Sequence, residues 1–416
     1  MTRNYHPDFI RPGWGGRCFA ELPPTVQYWL TGRGASGLSR ELLGRFDRRY
    51  DKVIFFFLDA FGWRFFEQFA DTHPLLQRME QQGKVVKLTS QFPSTTSAHA
   101  TAIHSGLPVG QSGVFEWQYY EPKLDDMIAP LLFSFAGSKR RDTLADSGIR
   151  PDELYPTQTF YNQLKQQGVN SFVCQYKGYT PSTYSDYLFR GAKVMPYSTL
   201  PETLVNMRLL VERQPGPAYF FLYYGDMDSI CHEYGPQSPQ VEAQNEAMLS
   251  ALERFFVAKL EGKLADTLLV ITADHGQVEV DPQTTVYLNL DPAFRGIERF
   301  LKTNRQGKIL APSGSARDFF LYVHDNRLDE AQAFLSTRLA GKAEVWRVAQ
   351  LLQEGYFGPP PFSPNLAARA GNLVILPYAG ESVWWYEKGR FEQDFYGHHG
   401  GLTRAEMEIP LCLYEI

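Results

Sequence analysis

Cysteine is scarce in this chain, with four in 416 residues, at Cys18, Cys174, Cys231 and Cys412. None forms a Cys-x-x-Cys pair, which argues against a disulfide framework and against a thiolate zinc site. A basic surplus is also missing. The formal net charge is −5, whereas nucleic-acid binders usually carry excess positive charge, so no nucleic-acid polymer is expected as a partner. No run of about 18 apolar residues occurs, which excludes an evident membrane-spanning helix. The N-terminal segment lacks the apolar stretch of a signal peptide, because Arg3, Arg11, Arg17 and several prolines interrupt it. A cytoplasmic location is therefore expected. Internal repeats and low-complexity segments are absent too. What remains is 44% hydrophobic, too apolar for a disordered chain. The length suits one large α/β domain with insertions, or two domains. No feature of the chain speaks to its oligomeric state.

Residues 1–50 are rich in Arg, Gly, Pro and aromatics, and read as an N-terminal arm over the core, helical near Thr25–Thr31. The apolar run Val53–Leu58 has the continuous pattern of a strand buried on both faces. A helix over Trp63–Phe69 and a strand over Lys84–Leu88 follow. Pro93-Ser-Thr-Thr-Ser97 offers N-cap residues to an alanine-rich helix that Gly106 ends. Helix Thr157–Gln167, strand Ser171–Gln175, helix Leu200–Arg213, strand Ala218–Tyr224, a long helix over Pro239–Leu260 and strand Thr267–Thr272 continue the alternation. Such alternation predicts a mainly parallel sheet covered by helices on both faces. Residues 313–355 read as a small α+β insertion, with a strand, a helix and a short strand. The expected core thus comprises 51–312 and 356–416, completed by strand Asn372–Leu376, a Trp384-Trp385 hairpin and the last strand, Glu408–Tyr414.

The chemistry-bearing residues stand at strand ends, where open parallel sheets bind their ligands. Asp59 follows the first strand. Asp226, Asp228 and His232 follow Ala218–Tyr224, and Asp274 and His275 follow Thr267–Thr272. His398 and His399 precede the last strand. Asp228 and His232, four residues apart, share one face of a helical turn and can hold one metal. Asp59, Asp228, His232, Asp274, His275 and His399 together make six ligands, three for each of two divalent ions. Zinc suits the mixed Asp/His set, and manganese or magnesium suit the carboxylates. Taken singly, each cluster is an ordinary turn or helix-start feature; it is their joint placement that points to a metal centre. Asp226 reads as a solvated or outlying carboxylate, and His104 as structural. Thr96, at a helix start, supplies a hydroxyl that a cation would activate and amides that would meet a phosphate. Thr95 competes for that role on these grounds alone.

At these residues the chain resembles the alkaline phosphatase superfamily, and within it the type I phosphodiesterase/nucleotide pyrophosphatase-like group, from about Lys52 to the C-terminus. The group's strand-end Asp matches Asp59. Its Asp-x-x-x-His-x-x-Gly-Pro pattern matches Asp228, His232, Gly235 and Pro236; its Asp-His-Gly matches Asp274, His275 and Gly276; its last His-Gly matches His399 and Gly400. Its Ser or Thr nucleophile stands ten residues before a Gly, which selects Thr96 with Gly106 over Thr95. The resemblance implies an α/β/α sandwich, a covalent phospho-threonine intermediate, and two zinc ions. One would be held by Asp228, His232 and His399, and the other by Asp59, Thr96, Asp274 and His275.

The chain also departs from that group. Its nucleotide pyrophosphatases carry an Asn eleven residues beyond the glycine, where Trp117 stands here. The sulfatase signature is absent at Thr96, and no ligand set for a third, magnesium-like ion is evident, which weighs toward diesters. The expected activity is hydrolysis of a small-molecule phosphodiester. A phosphomonoesterase or phosphomutase-like transferase is the alternative, motivated by the tail His399-Gly-Gly-Leu-Thr-Arg-Ala-Glu-Met407 and Pro410. A metal-stabilised binding module is the non-catalytic one. Residues 107–150 and 313–355 are expected to set specificity, with Phe115, Trp117 and His99 as candidate substrate contacts. Arg317 is expected to meet a phosphate or a local carboxylate.

Overall fold

The computed structural model describes residues 5–138 and 140–416; Arg3, named above, lies outside them. A seven-stranded sheet runs through the centre in the order Lys84–Thr89, Glu408–Glu415, Thr267–Thr272, Lys52–Leu58, Ala218–Tyr224, Asn170–Tyr176, Lys193–Tyr197. Only Glu408–Glu415 runs against the others. Helices cover the sheet, giving the expected α/β/α sandwich. The three central strands read as unbroken apolar runs because both faces are buried: six of the seven residues in Lys52–Leu58 and all six in Thr267–Thr272 are inaccessible. Their register positions the site. Leu58 stands beside Tyr224, and Phe57 beside Thr272. Three neighbouring parallel strands therefore finish at one level, and Asp59, Asp228 and Asp274 emerge side by side.

The N-terminal segment is part of the fold rather than a loose cover. Leu22–Thr31 is helical, and Phe19, Val26, Trp29, Leu43 and Phe46 enter the main core. The segment Pro239–Leu260 is interrupted: α-helix ends at Leu252, and Glu253–Val257 is π-helical. The strand expected over Asn372–Leu376 as part of the core forms at Leu373–Pro377, but outside the central sheet: it pairs antiparallel with Asp318–Leu321 and Ala343–Arg347. With Ser313–Ser315, which pairs with Asp318–Leu321, these strands form a second, four-stranded sheet with its own core around Phe319, Leu335, Val345 and Ile375. An apolar run announces a buried strand but not which sheet buries it. Likewise Val383–Trp384 is no hairpin; it pairs in parallel with Val286–Tyr287. No described helix is long and apolar enough to cross a membrane.

A buried ion pair ties the second sheet to the loop that carries His399. Arg317 meets Glu406 through Nε at 3.1 Å and Nη2 at 3.0 Å, and donates to the Tyr378 and Pro377 carbonyls. Glu406 in turn accepts from Gly401 N and from Thr403 Oγ. Arg317 thus meets a carboxylate 89 residues away, not a phosphate. Glu406→Ala would strand a buried guanidinium, and a loss of about 3–5 kcal/mol in unfolding free energy is expected. Denaturant unfolding checks this; a change below about 1 kcal/mol would mean that Arg317 finds water.

Candidate metal centre and active-site cavity

Thr96 opens the helix Thr96–Ser105, which Gly106 terminates. Its Oγ stands 3.4 and 3.5 Å from the Asp59 carboxylate and 3.2 Å from His275 Nε2. His275 Nε2 lies 3.4 Å from Asp59 Oδ1 and 3.3 Å from Asp274 Oδ2. In a second group, Asp228 Oδ2 is 3.4 Å from His232 Nε2, and Asp228 Oδ1 is 3.5 Å from His399 Nε2. The two groups adjoin: the His275 and His399 rings stack at 3.7 Å. The donor atoms of Asp228, His232 and His399 lie within 4.8 Å of one another, and so do those of Asp59, Asp274 and His275.

Three features show what these donors are arranged for. Each histidine has Nδ1 on a main-chain carbonyl, His232 on Gly397 at 2.8 Å, His275 on Gly276 at 3.0 Å and His399 on Ser94 at 3.0 Å. A carbonyl only accepts, so Nδ1 carries the proton and Nε2 turns a lone pair toward the carboxylates. Next, the Nε2-to-carboxylate distances of 3.3–3.5 Å are long for charged hydrogen bonds. They match two donors on one tetrahedral ion, which at about 2.0–2.2 Å each stand roughly 3.3–3.6 Å apart. Last, Asp274 Oδ2 is buried without a hydrogen-bond partner, an orphan that a cation would satisfy.

Electrostatics agree. Burial, with Asp274 and Asp228 beside it, pushes Asp59 well above the usual carboxylate range. Burial pushes Asp274 up to about 7. Burial also holds His275 well below its ordinary value, with His399 adding to the effect. Burial alone would raise Asp228, but His232 and the other two imidazoles pull it below the carboxylate range. The centre as a whole is short of positive charge.

The surrounding chain fixes these side chains. Tyr223, at the end of its strand, donates to Asp59. Gln277 donates to Asp228 Oδ1 at 2.6 Å, and Ala60 N to Asp274 Oδ1 at 3.1 Å. That last bond holds Ala60 at φ +62°, a left-handed conformation that costs an alanine about 1 kcal/mol. The glycine of Asp274-His275-Gly276 is a packing requirement: a Cβ there would stand 2.2 Å from the Ala405 carbonyl. Tyr223 and Gln277 carried no sequence signal, since a strand tyrosine or a turn glutamine is ordinary.

Above the two groups opens a cavity of about 500 Å³. Asp59, Thr96, Asp228, His232 and His399 form its floor; Leu131, Tyr179, Tyr184, Phe189, Trp384 and Phe395 stand among its mainly apolar walls, with Arg141 and Arg390. Trp117, 46% exposed and a candidate substrate contact, lines it. The other two candidate contacts do not. Phe115 is fully buried, stacked on Tyr119 at 5.0 Å and edge-on to Phe320. His99 is buried between the Thr95 carbonyl and Ser90. His104 bonds the Tyr161 hydroxyl at 2.7 Å, Asp226 is exposed, and His398 neighbours His399 with Nδ1 accepting from its amide.

A mainly parallel α/β/α sandwich, with paired acidic and imidazole groups at its strand ends and a hydroxyl at a helix start, is the architecture of alkaline phosphatase-like hydrolases. A sequence model described as type I phosphodiesterase / nucleotide pyrophosphatase matches residues 53–402, and the chain belongs to that family. Among curated relatives, human ectonucleotide pyrophosphatase/phosphodiesterase family member 1 is 22% identical over 255 residues, 57% of this chain and 24% of that protein. The matched segments span 24–34% of the length of such relatives. Among solved structures, murine ectonucleotide pyrophosphatase/phosphodiesterase 5, in an inactive threonine-to-alanine form in complex with AMP, superposes with a TM-score of 0.63 at 17% identity, covering 88% of both chains. Phosphonoacetate hydrolase from Sinorhizobium meliloti, in complex with phosphonoformate, superposes with a TM-score of 0.56 at 17% identity, covering 88% of this chain and 91% of that one.

Proposed function

We propose that the chain is a phosphodiesterase with two divalent ions, zinc first, and Thr96 as nucleophile. The observation that carries this is the set of three imidazoles, each locked through Nδ1 so that Nε2 faces carboxylates at 3.3–3.5 Å. Asp228, His232 and His399 would hold one ion, and Asp59, Asp274, His275 and the Thr96 hydroxyl the other. Bound ions would supply Lewis-acid charge and lower the pKa of that hydroxyl. Thr96 Oγ attacks phosphorus, and the bond to one alcohol breaks; that alcohol leaves and takes a proton. Water then attacks the phospho-threonine, releasing a phosphomonoester and restoring the hydroxyl. Amides at the helix start bind the phosphoryl oxygens. The inactivity of the threonine-to-alanine form of the murine protein supports a threonine in this role. Mainly apolar cavity walls support an aromatic or apolar ester group. A cytoplasmic setting is part of the reading, supported by four buried cysteines that all stay free.

Purified protein should hydrolyse bis-p-nitrophenyl phosphate faster than p-nitrophenyl phosphate, and elemental analysis should find two ions per chain. A strong preference for the monoester would favour the phosphatase or phosphomutase-like alternative. Metal content near zero after preparation in zinc would favour a binding module.

A further inference from the structure

Two carboxyl groups without a part in that chemistry lie beside the nucleophile. Glu116 backs the cavity wall next to Thr95, and Asp318 stands behind it on the second sheet. Both are fully buried. Of their four oxygens, two are satisfied. Glu116 Oε2 accepts from Trp117 N, and Asp318 Oδ1 accepts from Ser315 N at 3.0 Å and Ser315 Oγ at 2.5 Å. The other two, Glu116 Oε1 and Asp318 Oδ2, are buried and make no hydrogen bond, although the two groups lie within hydrogen-bonding reach of each other, and the Thr95 hydroxyl within reach of Glu116. Nearby cations are spent elsewhere. Arg317 is held by Glu406, Arg369 by Glu121 at 2.7 Å and the Gly113 carbonyl, and Arg390 by Glu387. Arg141, on the same cavity, lies over the Tyr179 ring. Two ionised carboxylates in contact here would repel strongly. A single proton between them removes the repulsion and satisfies both orphan oxygens at once.

We propose that Glu116 and Asp318 share one proton and act as a pair of positioning residues, latching the cavity wall at Trp117 to the loop that carries His399. The connections run both ways from the pair. On one side Glu116 holds the amide of Trp117, and the Gln118 carbonyl accepts from Gly314 N at 2.8 Å. On the other, Ser315 Oγ stands between Asp318 Oδ1 and the His399 carbonyl, 2.9 Å from the latter. Gly400 lies so close that a Cβ there would be 2.5 Å from Asp318 Oδ1. The substrate wall and one end of the centre are thus joined through one proton. Burial pushes Glu116 up to about 8, and burial with the Glu116 charge pushes Asp318 well above the carboxylate range. A carboxyl raised in the folded state contributes stability that is complete below its unfolded value and is lost as pH rises through its folded value. The first proton therefore leaves the pair, from Glu116, near pH 8, while Asp318 keeps the shared one beyond it, so the latch holds through neutral pH.

The test compares the metal-loaded wild type with Glu116→Gln, whose amide donates to Asp318 at any pH. Between about pH 5 and pH 8 the wild type should lose thermal stability, and Glu116→Gln should lose less, the two Tm curves diverging by about 3 °C or more. The alkaline limb of the kcat/KM profile for bis-p-nitrophenyl phosphate should move up in the variant. Asp318→Asn should behave alike, and decides the matter if Glu116→Gln does not fold. Parallel Tm curves would overturn the shared proton. Loss of one bound ion in Glu116→Gln would make the pair a cation site and overturn it too. The activity readout rests on the phosphodiesterase reading, whereas the Tm comparison does not. A chain that hydrolyses no diester but shows diverging curves would refute that reading and leave the latch standing.

Discussion

Thr96→Ala is expected to lower kcat toward bis-p-nitrophenyl phosphate by at least about 10³-fold, or about 4 kcal/mol of transition-state stabilisation. Among the described residues it removes the only hydroxyl placed 3.2–3.5 Å from both the Asp59 carboxylate and His275 Nε2. Metal content should stay at the wild-type value, because Asp59, Asp274 and His275 still supply three donors to that ion. Folding should change little, since Thr96 sits at the first turn of its helix and is only half-buried. Thr96→Ser should recover a measurable part of the rate, because a primary hydroxyl reaches the same position. Thr95→Ala serves as the control: Thr95 lies on the side of Glu116 and should cost far less. Retention of more than about a tenth of the activity in metal-loaded Thr96→Ala would remove Thr96 from the nucleophile's role.

Much of this centre was legible because its residues sit where chemistry and backbone periodicity coincide. Asp59 and Asp274 terminate apolar runs that can only be buried strands, and strand ends of a parallel sheet are where ligands bind. What could not be read was orientation and partnership. Phe115 and His99 are residues of the right type in the right neighbourhood. Sequence says nothing of which way a loop aromatic turns, and the one packs on Phe320 while the other is closed in by Ser90. The strand Leu373–Pro377 was recognisable and its sheet was not, because strand pairing depends on residues far away in the chain. Lys193–Tyr197 was missed altogether. It is an edge strand, half exposed and interrupted by Pro196, so its apolar pattern is weak. The three-stranded sheet at Tyr119–Glu121, Asp126–Ala129 and Ser134–Phe135 consists of strands of two to four residues, too short to show a period. The Glu116–Asp318 contact joins residues about 200 apart in the chain, and neither position looks unusual until they meet.

Removing the divalent ions should have the second large effect, on activity and on stability together. Chelation followed by desalting should abolish diester hydrolysis to below about 1% of the starting rate, because the Thr96 hydroxyl is then a weak nucleophile. At free zinc about 1,000 times Kd, each ion that binds only the folded chain adds about 4 kcal/mol. Two ions should then raise Tm by on the order of 10 °C. The size of that shift should depend on pH, with a definite sign. Burial and neighbouring carboxylates raise Asp59 and Asp274, the latter to about 7, so in the metal-free chain their stabilising contribution is lost as pH rises through that value. His275 and His399 are shifted down by burial, so their contribution is already complete above about 6.5 and varies little beyond it. Metal binding requires the carboxylates ionised and therefore strengthens over the same interval. Both trends point one way: the difference in Tm between metal-loaded and metal-free protein should be larger at pH 8 than at pH 6. Thermal unfolding with and without zinc at the two pH values measures it. A difference that shrinks with rising pH would mean that Asp59 and Asp274 are not ligands, and would leave Asp228, His232 and His399 as the seat of a single ion.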